Sequence, residues 1–179
     1  MSETLRRHLG LGLLCAIVLS TMSCRRSLSD LESVKAWVRS EFPGVEHVSA
    51  EELKAYPRPP VLLDVRTEEE YRVSHLEGAL RVEPGKELPD FLKTLDRATP
   101  VVAYCSVGYR SSQLVERLEK EGFEDVKNLE GSIFEWANKG YTVLRDGRPV
   151  KEVHPYDEKW GRLLDPELHA FRPRDEPPP

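Results

Sequence analysis

Residues 101–111 read Val-Val-Ala-Tyr-Cys-Ser-Val-Gly-Tyr-Arg-Ser. Val101–Tyr104 is a continuous apolar run of strand length, the pattern of a strand covered on both faces. A helix is expected from about Ser111 to Glu121, with Leu114, Val115 and Leu118 turned inward and Gly122 as its stop. Cys105 therefore stands where a central strand gives way to a helix. In sheets whose strands alternate with helices, ligands sit beyond the carboxyl ends of the strands.

The flanking sequence repeats this alternation. Ser29-Asp-Leu-Glu32 has the form of a capping box, and Leu31, Val34, Val38 and Phe42 follow at helical spacing, which predicts a helix over 30–41. Val45–Val48 has the composition of a short strand. Ser49–Glu52 and Thr67–Glu70 are two further capping boxes opening short helices, on either side of the apolar strand run Val61–Val65. His75–Val82 reads as a loop with a short strand, and Leu88, Phe91, Leu92 and Leu95 mark a helix. Val126–Leu129 is a further strand, Ser132–Lys139 a helix closed by Gly140, Tyr141–Leu144 an edge strand and Asp146-Gly147 a turn. The order predicts an α/β domain over 45–147, with a central, mainly parallel sheet of about five strands and helices on both faces. The segment 148–171, with His154, Tyr156 and Trp160, is too aromatic for a disordered tail. Packing against the domain is its first reading, and covering the site is the second. The charged, proline-rich end through Pro177–Pro179 reads as frayed.

The chemistry of the loop follows from its neighbours. The first turn of a helix leaves N–H groups without intrahelical partners, and these favour negative charge nearby. A thiol held there ionises more readily and becomes a better nucleophile. Gly108 lets the backbone turn, and Arg110 adds a fixed positive charge. A lone buried cysteine often behaves as a small hydrophobe, but a strand, Cys, Gly, Arg and helix in succession favour a reactive thiolate at Cys105. Ser106, Val107, Gly108, Tyr109, Arg110 and Ser111 are then the candidate substrate-binding residues. Arg110 has two readings, steering an anionic substrate and anchoring the loop to the body of the domain, and a mixture of the two is expected. Asp64 and Arg66, at a neighbouring strand end, are candidate supporting residues, with a structural ion pair as the plainer reading. His75 reads as a loop-fixing residue. No group of His, Cys, Asp and Glu has convincing metal spacing, and no cofactor is implied.

Cys105-Ser-Val-Gly-Tyr-Arg-Ser111 resembles the active-site loop of the rhodanese family. Leu63-Asp-Val-Arg66 with Glu70-Tyr71, His75-Leu-Glu-Gly-Ala-Leu80, and Leu129-Glu-Gly-Ser-Ile-Phe-Glu-Trp136 resemble its other signatures, in the expected order. Ser74 and Glu77 depart from it, standing where Gly and Pro are common. The resemblance covers about residues 45–144 and implies a single-domain sulfurtransferase. Its Cys105 thiolate would take the outer sulfur of thiosulfate or a persulfide, and the resulting Cys105 persulfide would pass it to a thiol or cyanide acceptor. That is covalent catalysis in two half-reactions, with the loop N–H groups holding the charged sulfur. The loop interior carries Ser, Val and Tyr rather than added positive charge, which argues against thiosulfate as the preferred donor.

Two other functions are compatible with the fold. A phosphatase or arsenate reductase of similar architecture would place a longer loop between Cys and Arg than the four residues here, Ser106 to Tyr109. A non-catalytic or sulfur-carrying binding module would use the same domain to dock, or to deliver sulfur to a protein acceptor. The chain's 179 residues suit one domain with extensions, and a formal net charge of -5 argues against a broad nucleic-acid surface.

The start of the chain differs in kind. Arg6, Arg7 and His8 precede the apolar run Leu9–Leu19, and small or polar residues lead to Ser23-Cys24. This is the layout of an export signal, with a run short of the ~20 apolar residues a membrane helix needs. Residues 1–24 also resemble a bacterial lipoprotein signal, which would lipidate Cys24 and leave residues 25–44 as a tether and first helix. A plain signal peptide or an uncleaved anchor is the alternative. Either predicts an exported protein, periplasmic or envelope-associated. Of the three cysteines, cleavage at Cys24 would remove Cys15 and leave Cys105 as the one free thiol.

Overall fold

The computed structural model describes residues 28–173. The expectations of an export signal over residues 1–24, of a lipid on Cys24, of the start of the tether and of a frayed end fall on residues 1–27 and 174–179, which lie outside the described residues.

The elements follow in the order α1 (Leu31–Glu41), β1 (His47–Val48), α2 (Ala50–Lys54), β2 (Val61–Asp64), α3 (Glu68–Val73), β3 (Leu80–Arg81) and α4 (Asp90–Thr94). Then come β4 (Val101–Tyr104), α5 (Tyr109–Lys120), β5 (Val126–Leu129), α6 (Ser132–Asn138), β6 (Val143–Arg145), β7 (Arg148–Val150) and α7 (Glu158–Gly161). Five strands form one sheet in the order β1-β5-β4-β2-β3, and every pairing is parallel. The predicted α/β architecture is the observed one. All four residues of β4 are buried, as expected for a central strand covered on both sides.

The capping boxes at Ser49 and Thr67 form, each with the reciprocal bond from the third-position Glu. The first helix is capped differently. Asp30, not Ser29, has the extended backbone of a cap, and its carboxylate accepts the Ser33 N–H at 2.8 Å. A carboxylate beside the positive end of a helix dipole is at least as good a cap as a hydroxyl, so the cap falls on Asp30 and the box expected over Ser29–Glu32 gives way to a simple carboxylate cap.

The edge strand expected at Tyr141–Leu144 is displaced. Val143–Arg145 pairs with Arg148–Val150 in a separate antiparallel hairpin, turned by Asp146 and Gly147, both at positive φ. A two-residue turn of that hand matches the twist of a hairpin, so β6 has a local partner and does not join the main sheet. The strand is tied to the domain by a bridge between His75 and Leu144, made by reciprocal N–H to carbonyl bonds at 2.9 and 2.8 Å, and by the burial of Val143 in the common core.

The segment beyond the hairpin is tied down by polar and apolar contacts together. The Asn138 amide at the end of α6 donates to Leu163 O and accepts from Asp165 N–H. Val153, Leu163 and Leu164 are buried in the common core. Burying one such side chain contributes about 1.5–3 kcal/mol, enough to hold the segment against the domain.

Candidate active site

Cys105 follows the last residue of β4, and α5 begins at Tyr109, two residues earlier than the sequence pattern suggested. Gly108 is the cap of α5, with φ +109. This left-handed geometry turns its N–H back onto the sulfur, and Gly108 N donates to Cys105 Sγ at 3.1 Å. A Cβ at this position would lie 3.1 Å from Asn128 Nδ2. Glycine is therefore required here by conformation and by space.

The loop is held from behind by α6. Ser132 Oγ accepts the Cys105 N–H at 3.1 Å, Ile133 N donates to Cys105 O, and Phe134 N donates to Ser106 O, both at 3.2 Å. Ser132 itself adopts a positive φ of 51°. The segment 129–136 thus carries the backbone polarity of the cysteine loop on the first turn of a helix, where N–H donors are free. Asn128, at the end of β5, accepts the Ser111 hydroxyl at 2.6 Å. Ser111 Oγ also lies 3.5 Å from Sγ. A hydroxyl has one proton, so the shorter bond to Asn128 prevails and Gly108 is the firmer donor to sulfur.

Arg110 resolves toward anchoring. Its guanidinium makes a two-pronged pair with Glu70, Nη1 to Oε2 and Nη2 to Oε1, each at 2.8 Å. Nη2 also donates to Ser106 Oγ at 2.9 Å, and that hydroxyl donates to Glu70 Oε1 at 2.9 Å. Glu70 additionally accepts the Thr67 N–H as the third residue of its capping box. The sequence identified Glu70 only as a cap and family signature. Its second role is invisible locally, because the partner lies forty positions away; the one signal for it was an acidic residue preceding a loop that carries a lone arginine.

These contacts set the state of the thiol. Burial pushes Cys105 up, but the Arg110 charge and the N–H groups of Ser111 and Gly108 draw it below the ordinary thiol range. For Glu70, burial opposes ionisation, and the bonds and charge of Arg110 override it, bringing the carboxyl to about 2. The site is therefore a buried, readily ionised thiol beside a neutralised Arg–Glu pair.

Asp64 and Arg66 lie below this site. Both are fully buried, and Arg66 Nε and Nη2 clasp the Asp64 carboxylate at 2.7–3.1 Å. Arg66 Nη2 also donates to Ser74 O at 2.6 Å, closing the chain at the end of α3. They form the structural ion pair of the plainer reading. His75 stacks on Tyr71, with ring centres 4.0 Å apart, and its Nδ1 lies 3.2 Å from Tyr71 O. Its ring is thus held against α3, which fixes the start of the loop to that helix.

Above the sulfur is a cavity of about 250 Å³. The loop residues Cys105 to Val107, Tyr109 and Arg110 form its floor and one wall, and Trp37, Tyr156 and Trp160 complete it. Trp37 comes from α1 and stacks on Tyr109 with centroids 4.9 Å apart and planes 7° from parallel; Trp160 lies 6.2 Å beyond. The Arg110 guanidinium lies 4.9 Å from the Tyr156 ring centre. The C-terminal segment therefore both packs on the domain and covers the cysteine. No sequence signal connected Trp37 to this site.

The relatives of this chain fit its architecture. The tRNA uridine(34) hydroxylase of Citrobacter koseri is 30% identical over 135 residues, 70% of this chain and 38% of that protein. The hydroxylase of the same name from Oceanobacillus iheyensis is 40% identical over 122 residues, 64% of this chain and 36% of that one. The chain thus spans less than two fifths of the length of these curated relatives. Among solved structures, a rhodanese-like domain protein from Staphylococcus aureus superposes with a TM-score of 0.50 at 28% identity, over 57% of this chain and 99% of that one. A thiosulfate sulfurtransferase from Pseudomonas aeruginosa shares the fold, with a TM-score of 0.52 at 24% identity over 64% of this chain and 23% of that chain. The family described as Rhodanese-like domain matches residues 49–139, half of the chain and the whole of the loop and its supports, and the protein belongs to that family.

Proposed function

We propose that this protein is a sulfurtransferase in which Cys105 carries a sulfane sulfur between a donor and a thiol acceptor. The observation that carries the reading is the buried Cys105 sulfur, receiving the Gly108 N–H at 3.1 Å and lying at the floor of a cavity, with its ionisation favoured by Arg110. In the first half-reaction the thiolate attacks the outer sulfur of R–S–S⁻. The bond to the R-bearing sulfur breaks and R–S⁻ leaves with the electron pair. In the second, an acceptor thiolate attacks the outer sulfur of Cys105–S–S⁻, and the Cys105 thiolate leaves. No proton need be removed from an already ionised nucleophile.

The name carried by the longer relatives suggests chemistry on tRNA. A net charge of -5 and an apolar cavity favour a small sulfur compound over a polyanion. The four-residue spacing from Cys105 to Arg110 and the engagement of Arg110 by Glu70 disfavour a phosphatase, which needs a free cation for its oxyanion. The export signal and a lipid on Cys24 belong to the same proposal, and would set the reaction at the cell envelope.

The test is intact mass after incubation with thiosulfate and, separately, with glutathione persulfide or inorganic polysulfide. A gain of one sulfur atom is expected, reversed by cyanide and absent in Cys105→Ser, whose fold is unchanged by circular dichroism. No gain with any donor refutes the sulfurtransferase and leaves the binding module.

A further inference from the structure

The cysteine loop accounts for sulfur chemistry in general and leaves the choice of substrate open. That choice lies in the walls above it. Four aromatic rings, Trp37, Tyr109, Tyr156 and Trp160, together with Val107, enclose the space over Cys105. The one charged side chain in the same wall and the serine hydroxyl beside it are already engaged. Arg110 is paired through both prongs to Glu70, and the Ser106 hydroxyl both donates to Glu70 and accepts from Arg110. An ionic substrate entering this space would lose hydration without meeting an unpaired counter-charge, an unfavourable transfer. An apolar body would instead gain by leaving water.

Resting on the sulfurtransferase reading, we propose that the aromatic chamber selects low-molecular-weight thiols and persulfides with an apolar or aromatic body, and discriminates against hydrophilic ones. Its volume of about 250 Å³ suits such a body; an apolar cavity of about 150 Å³ already accepts benzene. The substrate's ring or alkyl chain lies against the edges of Trp37 and Trp160 and against Tyr156, and its sulfur points down to Cys105. The acceptor step is R–S⁻ + Cys105–S–S⁻ → R–S–S⁻ + Cys105–S⁻. One S–S bond forms as another breaks, with no external oxidant or reductant.

The experiment loads the full chain with inorganic polysulfide, a donor too small to need the walls. Discharge of the Cys105 persulfide is then timed by mass, with benzyl mercaptan and with 2-mercaptoethanol at equal thiolate concentration. Benzyl mercaptan is expected to discharge it at least about tenfold faster, equivalent to about 1.4 kcal/mol. Trp160→Ala should bring that ratio toward one. Trp160→Phe, which keeps a ring, should retain most of it. Tyr156→Ala removes a ring that is 44% exposed, so the fold is little affected, and it should lower the ratio too. Equal rates in the unaltered chain, or a ratio that neither Trp160→Ala nor Tyr156→Ala changes, overturn the chamber's role while leaving sulfur transfer standing. A Cys105 that takes no sulfur from polysulfide overturns both.

Discussion

Replacing Glu70 with Gln isolates the charge that holds the cysteine loop. Glu70 is 1% exposed and meets Arg110 through two bonds of 2.8 Å, with further bonds from Ser106 and Thr67. Gln keeps the shape and one acceptor, so the loss is chiefly that of the anion. The carboxyl sits at about 2 in the folded protein against an ordinary 4.5. At about 1.4 kcal/mol per pH unit this corresponds to roughly 3 kcal/mol of stability at pH 7. The raised affinity of Arg110 for its proton reports the same contact and is not counted again. The sign follows from the direction. A depressed folded value stabilises above the unfolded value of 4.5, and the contribution fades as pH falls through about 2. Urea unfolding followed by tryptophan fluorescence should therefore show Glu70→Gln less stable by about 3 kcal/mol at pH 7 and by only about 1 kcal/mol at pH 3. A penalty under about 1 kcal/mol at pH 7, or one that does not shrink on acidification, would refute the account of this pair.

Three further changes probe other parts of the structure. Arg110→Gln removes the cation that favours the thiolate, so iodoacetamide should alkylate Cys105 several-fold more slowly below pH 7, with the curve of rate against pH moved upward; an unmoved curve would show that the loop donors suffice. Gly108→Ala forces a side chain into a left-handed backbone and against Asn128, and should cost about 1–3 kcal/mol in urea unfolding and slow sulfur loading; unchanged stability would mean the turn tolerates a Cβ. Cys24→Ser should move the protein from the membrane to the soluble fraction; if it stays with membrane, lipid on Cys24 is not the anchor.

The fold was legible where one local pattern had one outcome. Val101–Tyr104 could only be a strand covered on both faces, and the boxes at Ser49 and Thr67 carry both halves of their signal within four residues. Legibility failed where the partner was distant or where two partners competed. Tyr141–Leu144 has the composition of a strand, but composition does not say which sheet receives it, and the turn at Asp146-Gly147 decided for the hairpin. At the site, the contiguous loop from Cys105 to Ser111 could be singled out because its residues are neighbours in sequence. Glu70, Asn128 and Ser132 reach it only through the sheet and α6. Trp37 and Trp160 meet over it from opposite ends of the described chain, and the pairing of two rings across such a distance leaves no periodicity to read.

That cover has a consequence in time as well as in selectivity. A persulfide open to water and oxygen is short-lived, and among the described residues Cys105 has no neighbouring cysteine to rescue it. Cys105 is 1% exposed beneath rings that belong mostly to segments outside residues 49–139. On the proposed sulfurtransferase reading, the lifetime of the loaded sulfur would be governed by parts of the chain that take no part in the bond exchange. A lineage could lengthen or shorten it by altering α1 or the C-terminal segment alone, tuning the protein between a rapid exchanger and a reservoir while the reacting loop stayed the same.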